Sequence, residues 1–254
     1  GITVSASETE SGVIAESVSH VWVGAETTKA RDELRSVMEQ ESDTELLIVR
    51  FESSLRWIPQ VIVDVGDRIL IPGGSILYWR APTTPTATGA GDWHDKALPP
   101  LKQLGSDDTE DVVSAIQTTF TDYSNHYTSN PMLRPIDPAT AYADWAKRSL
   151  ALDQRAVLVA LDDPRDTIAA IALVDFGDES ADILLAGVDP RFRSRGLYSS
   201  FLPRVVRTAR DRGFPEVVIS TQDHNVAVQR LWSRLGFEPT LAVNVVHAMR
   251  TPRI

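Results

Sequence analysis

Residues 188–198 read Val188-Asp189-Pro190-Arg191-Phe192-Arg193-Ser194-Arg195-Gly196-Leu197-Tyr198. The apolar run before them, from Ala181 to Val188, predicts a strand, and the amphipathic run that begins at Leu197 predicts a helix. The first backbone N–H groups of a helix have no partner within the helix and lie at the positive end of its dipole. This strand, turn and helix therefore predict a site for phosphate or diphosphate oxygens.

The charge around this turn is opposite to that of the whole chain. Residues 189–212 contain seven arginines and two aspartates, a local charge of +5 in a chain whose net charge is -10. Arg193 and Arg195 are predicted to add charge-assisted hydrogen bonds to a phosphate. The alternative is a solvated helix face whose arginines bind no ligand.

A second motif, in residues 225–237, predicts a short helix that ends at a glycine. It reads Asn225-Val226-Ala227-Val228-Gln229-Arg230-Leu231-Trp232-Ser233-Arg234-Leu235-Gly236-Phe237 and follows a predicted strand at 216–221. Two patterns occur together: R-x-x-G-x-x before one helix and N-x-A-x-x-x-L-aromatic-x-x-L-G-F in the next. The pair resembles the GNAT superfamily of acyl-CoA-dependent N-acyltransferases. The first motif alone is weak, but the pair at this spacing is specific.

The resemblance implies that acetyl-CoA, or another acyl-CoA, is the co-substrate. It implies that the turn holds the CoA pyrophosphate through backbone amides, that the splayed end of the preceding strand pairs with the pantetheine arm, and that Asn225 contacts this arm. The implied cofactor-binding residues are Ala186, Gly187, Val188, Arg193, Ser194, Arg195, Gly196, Leu197, Tyr198 and Asn225.

Three residues depart from the family pattern. Tyr198 stands where the family usually has a small Gly or Ala, and Ser194 stands where Gly is common. Trp232 occupies the position of the tyrosine that usually protonates the departing CoA thiolate. Because an indole N–H cannot act as that acid, Trp232 is expected to act in the catalytic site by packing against the acyl-pantetheine end.

The predicted fold is α/β with a mixed sheet. A stretch rich in Pro, Thr, Ala and Gly at 81–98 predicts a linker between an N-terminal lobe, 1–80, and a catalytic GNAT domain, 99–254. In the second part, the predicted order β-α-α-β-β-β-α-β-α-β-β matches the GNAT fold. Its last two strands are predicted as a pair within 237–249.

The N-terminal lobe repeats part of this order. A helix at 28–41, a strand at 44–51, a short helix near 57–63 and two strands that end at Arg80 predict a degenerate half-copy of the catalytic lobe. Its counterpart of the phosphate turn, residues 23–28, lacks R-x-x-G and carries Glu26. We therefore expect no CoA site in this lobe.

The segment from Phe120 to Arg134 is polar and aromatic and lies between two predicted helices. With the degenerate N-terminal lobe, it resembles the dTDP-fucosamine N-acetyltransferases, which acylate the 4-amino group of a nucleotide-linked deoxyhexose. The implied acceptor is a dTDP-linked amino sugar. Its implied contacts are stacking on Tyr123 and Tyr127, a diphosphate contact at Arg134, and Asn125 in the same segment. The alternative is a loop whose aromatic rings fill the gap between helices.

An amine attacks an acyl group only when it is neutral. His126 is the first candidate for the catalytic base because the ordinary pKa of histidine is near 6.5. Asp182 and His224 are lesser candidates. The backbone amides of Gly187 and Val188 are predicted to hold the oxyanion.

Composition excludes several other functions. The absence of cysteine excludes disulfides, thiolate metal sites and an acyl-cysteine intermediate, so direct acyl transfer is expected. The five histidines have no metal-ligand spacing, and no metal is predicted. The negative net charge argues against nucleic acid as a partner, and no run approaches 18 apolar residues, so neither a membrane partner nor a spanning segment is expected. We expect a cytoplasmic location and leave a homodimer open.

Two other functions remain open. The chain could acetylate a protein N-terminus or a small antibiotic amine, for which an acidic groove would be expected. It could also be a CoA-binding module without catalysis, since Trp232 replaces the expected acid.

Overall fold

The computed structural model describes residues 2–6, 17–24, 29–84, 101–133, 137–151, 155–162, 167–177 and 179–251. The strands are β1 (Ile2–Ala6), β2 (Val18–Val23), β3 (Leu46–Glu52), β4 (Arg68–Pro82), β5 (Lys102–Leu104), β6 (Arg155–Asp162), β7 (Thr167–Phe176), β8 (Ala181–Val188), β9 (Glu216–Gln222) and β10 (Glu238–Arg250). The helices are α1 (Ala30–Gln40), α2 (Ile58–Val65), α3 (Thr109–Phe120), α4 (Pro138–Ser149), α5 (Leu197–Asp211) and α6 (Val226–Arg234).

The chain forms two compact units. The first contains Gly1–Leu77, Ser124–Ile136 and Leu241–Ile254, and the second contains Tyr78–Tyr123 and Asp137–Thr240. Strands β4 and β10 each contribute residues to both units. The predicted boundaries at 80 and 98 differ from this division, and they stay a prediction about separately folding domains.

The first unit packs two helices on a mixed set of strands in the order β1-β2-β3-β10-β4. Strand β3 runs parallel to β2 and antiparallel to β10. Helix α1 buries Ala30, Leu34 and Met38, which are spaced four residues apart and so lie on one helix face. Helix α2 ends at Gly66, whose φ of 92° lies in the left-handed region that glycine adopts without strain.

The second unit has the strand order β4-β9-β8-β7-β6-β5. Strands β5 to β8 are antiparallel to their neighbours in the sequence, and β9 runs parallel to β8. Helix α3 buries Val112, Ile116 and Phe120 at the predicted helical spacing. Helix α5 continues through Pro203 and buries Phe201, Leu202, Val205, Val206 and Ala209. The α/β fold with a mixed sheet is confirmed.

Two local predictions were wrong, because each predicted terminal strand pair is one long strand, β4 and β10. Strands β1 and β2 were not predicted. Strand β4 continues through Pro72-Gly73-Gly74, which are residue types common in turns. Gly73 is needed there for close packing, because a Cβ would lie 3.1 Å from the Val245 carbonyl oxygen. Strand β4 also includes Ala81 and Pro82, the first two residues of the predicted linker, while 85–98 lie outside the described residues.

Candidate functional site

Strands β8 and β9 separate at one end. Their parallel register extends from the pair Ala181 and Val217 to the pair Ile183 and Ile219, although β8 continues to Val188 and β9 to Gln222. On its other side β8 remains paired with β7 through Val188. An extended ligand can therefore form hydrogen bonds with the separated edge of β8, as a neighbouring strand would.

A β-bulge accompanies this separation. Leu173 of β7 faces Leu185, but the next residue, Val174, faces Ile183, so Leu184 is an extra residue in β8. A bulge bends its strand and increases the local twist. Because the bulge begins where the pairing with β9 ends, it gives a local cause for the separation.

The turn after β8 is held by Asp189. Its buried carboxylate accepts a hydrogen bond from the Arg191 backbone N–H at 2.8 Å and pairs with the Arg191 guanidinium at 2.6 Å. These bonds hold the pKa of Asp189 below its usual value. The chain then passes through Ser194, with φ of 62°, and Gly196, with φ of 75°, into the first turn of α5. The N–H groups of that turn are the predicted phosphate donors.

The Arg193 side chain links two elements at this turn. Its Nε donates to the Val188 carbonyl at 3.1 Å, and its Nη2 donates to the Thr119 carbonyl at 2.7 Å, near the end of α3. These two bonds link β8 to α3, and the exposed side chain also lines the pocket at the turn, so its role as a phosphate ligand stays a prediction. Arg195 is exposed, with its guanidinium carbon 6.0 Å from the centre of the Phe192 ring.

A pocket of about 290 Å³ opens at the turn. Six members of the predicted cofactor set line it: Val188, Arg193, Ser194, Gly196, Leu197 and Tyr198. Arg234, in the last turn of α6, also lines the pocket and was not predicted. The position of Arg234 two residues after Trp232 in the second motif was the available signal.

Asn225 and Trp232 lie at the two ends of α6. Asn225 is the N-cap residue, and its Nδ2 donates to Thr221 Oγ1 at 3.0 Å. Trp232 is only 2% exposed and packs edge-on against Trp79, with ring centres 6.2 Å apart. Its indole N–H donates a long hydrogen bond, 3.4 Å, to the Tyr198 hydroxyl.

The Tyr198 phenol contacts this motif through Trp232. Burial raises the pKa of Tyr198 well above its ordinary value, and the Trp232 hydrogen bond lowers it to a smaller extent. Tyr123 acts electrostatically on the same hydroxyl and raises its pKa further. Tyr198 is therefore a protonated phenol throughout the neutral pH range.

Phe120, Tyr123 and Tyr142 form an aromatic wall beside the end of β8. Their ring centres lie 5.4 to 5.8 Å apart. Gly187 allows this close approach, since a Cβ there would lie 2.3 Å from Thr119 Cγ2 and 3.3 Å from Phe120 Cζ. Tyr123 was selected from the sequence, whereas Tyr142 was read only as a helix residue.

His126 cannot be the predicted base in this structure. It is a buried residue of the first unit, and its Nε2 lies 3.1 Å from Arg50 Nη2 while its Nδ1 lies 2.9 Å from His247 Nε2. Because arginine only donates, Nε2 must accept, and neutral His126 carries its proton on Nδ1. Burial, followed by the charge of Arg50, holds its pKa well below the ordinary value. Both nitrogens are committed to protein partners.

Asn125 and Tyr127, also predicted to bind the acceptor, belong to the first unit, whereas the aromatic wall belongs to the second. Asn125 is buried in the first unit, where its Oδ1 accepts from the Tyr127 backbone N–H at 3.0 Å, so it serves a local turn. Tyr127 packs on the His126 ring, with centres 3.9 Å apart. Arg134 lies outside the described residues.

Asp182 is placed at the wrong end of β8 for a base. It accepts a hydrogen bond from Ser180 at 2.7 Å and lies opposite Val218, where β8 and β9 are still paired. Five residues of strand, about 17 Å, separate it from Gly187. His224 is half exposed, and its Nδ1 lies 3.6 Å from Asp223 Oδ1. Among the described residues, no group of three or more His, Asp or Glu side chains is arranged to hold a metal ion.

The N-terminal half-copy lacks the cleft. The element order from β2 to β4 is that from β8 to β10, and β2 is parallel to β3 as β8 is to β9. However, β2 and β3 stay in register to the end of β2, where Val23 faces Phe51. No edge of β2 is left toward β3 for an extended ligand. Residues 25–28, the counterpart of the phosphate turn, are outside the described part of the chain.

Strand β8 carries a bulge, leaves its parallel neighbour β9 and leads through a glycine turn into α5. This arrangement agrees with the fold that the sequence motifs indicated. Residues 117–237 match the Acetyltransferase (GNAT) family model. The matched region contains the separated strands, the turn and both motif helices.

Solved structures share the fold. A GCN5-related N-acetyltransferase from Sphaerobacter thermophilus is similar over 99% of this chain and 78% of its own, at a TM-score of 0.59 and 13% identity. A tandem GNAT protein from the clavulanic acid biosynthesis pathway is similar over 93% of this chain and 76% of its own, at a TM-score of 0.57 and 16% identity. A GNAT-family putative acetyltransferase from Novosphingobium aromaticivorans is similar over 92% of this chain and 84% of its own, at a TM-score of 0.51 and 17% identity. Within the described residues, no helix has the length and apolar character needed to cross a bilayer.

Proposed function

We propose that the second unit binds acyl-CoA and transfers the acyl group, most simply acetyl, directly to an amine. The observation that carries this proposal is the open edge of β8, which ends at a helix N-terminus with a pocket beside it. The pantetheine arm would pair with residues 186–188, and the pyrophosphate would accept from the first N–H groups of α5. Direct transfer agrees with the absence of cysteine.

The cofactor site is tested with two matched glycine substitutions. Gly196 and Gly213 stand at opposite ends of α5, with φ of 75° and 91°, and neither would bring a Cβ within 3.0 Å of a neighbour. Gly196→Asp places a carboxylate at the proposed pyrophosphate site, whereas Gly213→Asp places the same strain and charge at the far end. Acetyl-CoA affinity, measured by calorimetry, should fall at least about tenfold, or 1.4 kcal/mol, only in Gly196→Asp. Equal affinities in both variants would contradict the assignment.

The proposed acceptor is the amine of an amino-deoxy sugar carried on a nucleotide, as the dTDP-fucosamine resemblance suggests. Support comes from the aromatic wall, whose edge-to-face rings offer apolar faces next to Gly187. The rest of the predicted acceptor segment, Phe120 to Arg134, gives less support, since its residues Asn125 and Tyr127 make contacts within the first unit. The acceptor is therefore proposed to meet Tyr123 and Tyr142 first.

A comparison of acceptors tests this part separately. A dTDP-linked amino sugar, the same sugar without its nucleotide, a peptide N-terminus and an aminoglycoside should be offered with acetyl-CoA. We expect the nucleotide-linked sugar to have the highest kcat/KM, and Tyr123→Ala to raise its KM while acetyl-CoA affinity is kept. If the free sugar is used equally well, recognition of the nucleotide is excluded. If the peptide or the aminoglycoside is preferred, that amine replaces the amino sugar as the proposed acceptor.

A second candidate function is a CoA-binding module without turnover. It is favoured by the burial of Trp232 at the position where the family usually has an acid. It would bind acetyl-CoA in calorimetry and release no CoA with any amine in the panel.

A further inference from the structure

The aromatic wall begins at the C-terminal end of α3, and this helix end has no capping residue of its own. Its last turn contains no lysine or arginine, and no glycine follows it directly. The last four carbonyl groups of a helix have no partner within the helix, and a glycine turn, a basic side chain or water usually satisfies them. Groups outside the helix therefore satisfy the end of α3.

The last four carbonyl groups of α3, those of residues 117–120, have identifiable partners. The Thr121 hydroxyl donates to the first two, at 2.7 and 3.3 Å, and the Tyr123 backbone N–H donates to the last, at 3.0 Å. The remaining carbonyl, that of Thr119, accepts from Nη2 of Arg193 at 2.7 Å. Thr121 and Tyr123 follow α3 directly, whereas Arg193 belongs to the turn after β8.

Arg193 is well suited to hold the helix end from this turn. Its Nε donates to the Val188 carbonyl at 3.1 Å, so one guanidinium joins the last residue of β8 to the last turn of α3. A cation at the negative end of the helix dipole is favourable. Thr119 also lies against β8 with its side chain, whose Cγ2 would be only 2.3 Å from a Cβ on Gly187. The carbonyl and the methyl group of one residue thus fix the end of α3 on the end of β8.

We propose that Arg193 is a positioning residue of the acceptor site, which fixes the end of α3 and thereby the place of Tyr123. Tyr123 packs edge-on against Phe120 and Tyr142, with ring centres 5.7 and 5.8 Å away. Arg193 acts through the Thr119 carbonyl and does not touch the acceptor. Its two hydrogen bonds use two of its five N–H groups, so it can also donate to a pyrophosphate. The inference rests on the proposed function, in which the acceptor meets Tyr123.

The test compares two arginines of the same turn. Arg193→Met and Arg195→Met each remove one positive charge beside the proposed pyrophosphate, so both should weaken acetyl-CoA binding in calorimetry. Arg195 places its guanidinium over Phe192, 6.0 Å from the ring centre, and its loss should leave the acceptor KM at the wild-type value. Arg193→Met should in addition raise the acceptor KM about tenfold, because a hydrogen bond from a charged group to α3 is lost.

Thr121→Val changes the same helix end without changing the turn. It removes the hydroxyl that bonds two carbonyls of α3 and keeps a side chain of similar shape. It should raise the acceptor KM while the acetyl-CoA affinity stays at the wild-type value. Partial unfolding would reduce the number of active molecules, which lowers kcat but not KM. A higher KM therefore separates positioning from a general loss of stability.

The acceptor is the dTDP-linked amino sugar, or the amine of the panel that the wild-type protein acetylates best, at saturating acetyl-CoA. An unchanged acceptor KM in either Arg193→Met or Thr121→Val would overturn the inference, while wild-type turnover would leave the transferase function standing. An equal rise in Arg195→Met would also overturn it, since the charge of the turn would then control the acceptor. If the wild-type protein acetylates no amine, the proposed function itself falls, and this inference with it.

Discussion

Gly187→Ala tests the contact on which the open end of β8 depends. The added Cβ would lie 2.3 Å from Thr119 Cγ2, whereas carbon atoms in contact are about 3.5 to 4.0 Å apart. Strand β8 or helix α3 would have to move by about 1.2 Å, and overpacking of this kind costs roughly 1–3 kcal/mol. We therefore expect the free energy of unfolding to fall by that amount, with Tm lower by roughly 2–4 °C per kcal/mol.

The assay is denaturant and thermal unfolding of Gly187→Ala, with Gly177→Ala as the matched control. A Cβ at Gly177 would make only an ordinary contact, 3.7 Å from the Ser180 carbonyl, and should leave stability nearly unchanged. Thr119→Ser removes the clashing methyl group and keeps the hydroxyl, so in the Gly187→Ala background it should recover most of the loss. Wild-type stability in Gly187→Ala, or no recovery in the double variant, would refute the reasoning.

Two further changes test the site turn and the first unit. Ser194 has φ of 62°, so Ser194→Gly should relieve backbone strain and raise the free energy of unfolding by up to about 1 kcal/mol. The control, Ser233→Gly within α6, should lower the free energy of unfolding. Both are measured by equilibrium unfolding, and a loss of stability in Ser194→Gly would contradict the strain at this residue. The pKa of His126 is lowered in the folded protein, so as pH falls the unfolded chain binds a proton at this histidine before the folded protein does. The stability that His126 contributes is therefore complete above its ordinary pKa near 6.5 and is lost as pH falls toward the lowered value. His126→Gln should flatten that part of a stability-against-pH curve, and an unchanged slope would exclude His126 as its source.

The second unit was predictable because its signals are local. Residues 181–188 and 197–211 carry a strand run and a helix period of their own, and the structure places β8 and α5 at those positions. The sharp turn between them follows from Gly196, whose φ of 75° few other residues adopt. Strand β4 could not be read in the same way. Its Pro72, Gly73 and Gly74 are turn residues by local preference, yet the strand continues there, with Gly73 close to Val245 of β10.

The acceptor and base residues depended on contacts that sequence spacing does not encode. His126 and Tyr123 are three residues apart, yet Tyr123 belongs to the aromatic wall in the second unit and His126 to a hydrogen-bonded cluster in the first. The partners of His126, Arg50 and His247, lie 76 and 121 positions away in the chain. A histidine in a polar loop was therefore read as an accessible base, whereas burial and a neighbouring arginine make it an internal acceptor.

The strand pairs β2–β3 and β8–β9 share an element order but differ in register, and in the proposed function it is this register that determines where an extended ligand can bind. Both contain a parallel strand pair followed by a helix, but β2 stays in register with β3 as far as Val23, while β8 leaves β9 after Ile183. The difference coincides with one extra residue, Leu184, opposite β7. A strand whose edge groups are already bonded to a neighbour cannot bond a pantetheine amide, whatever side chains follow it. The edge of β8 that β9 leaves unpaired therefore supports the proposed CoA site in the second unit more strongly than the arginines of the turn do, since one of these, Arg193, also links β8 to α3.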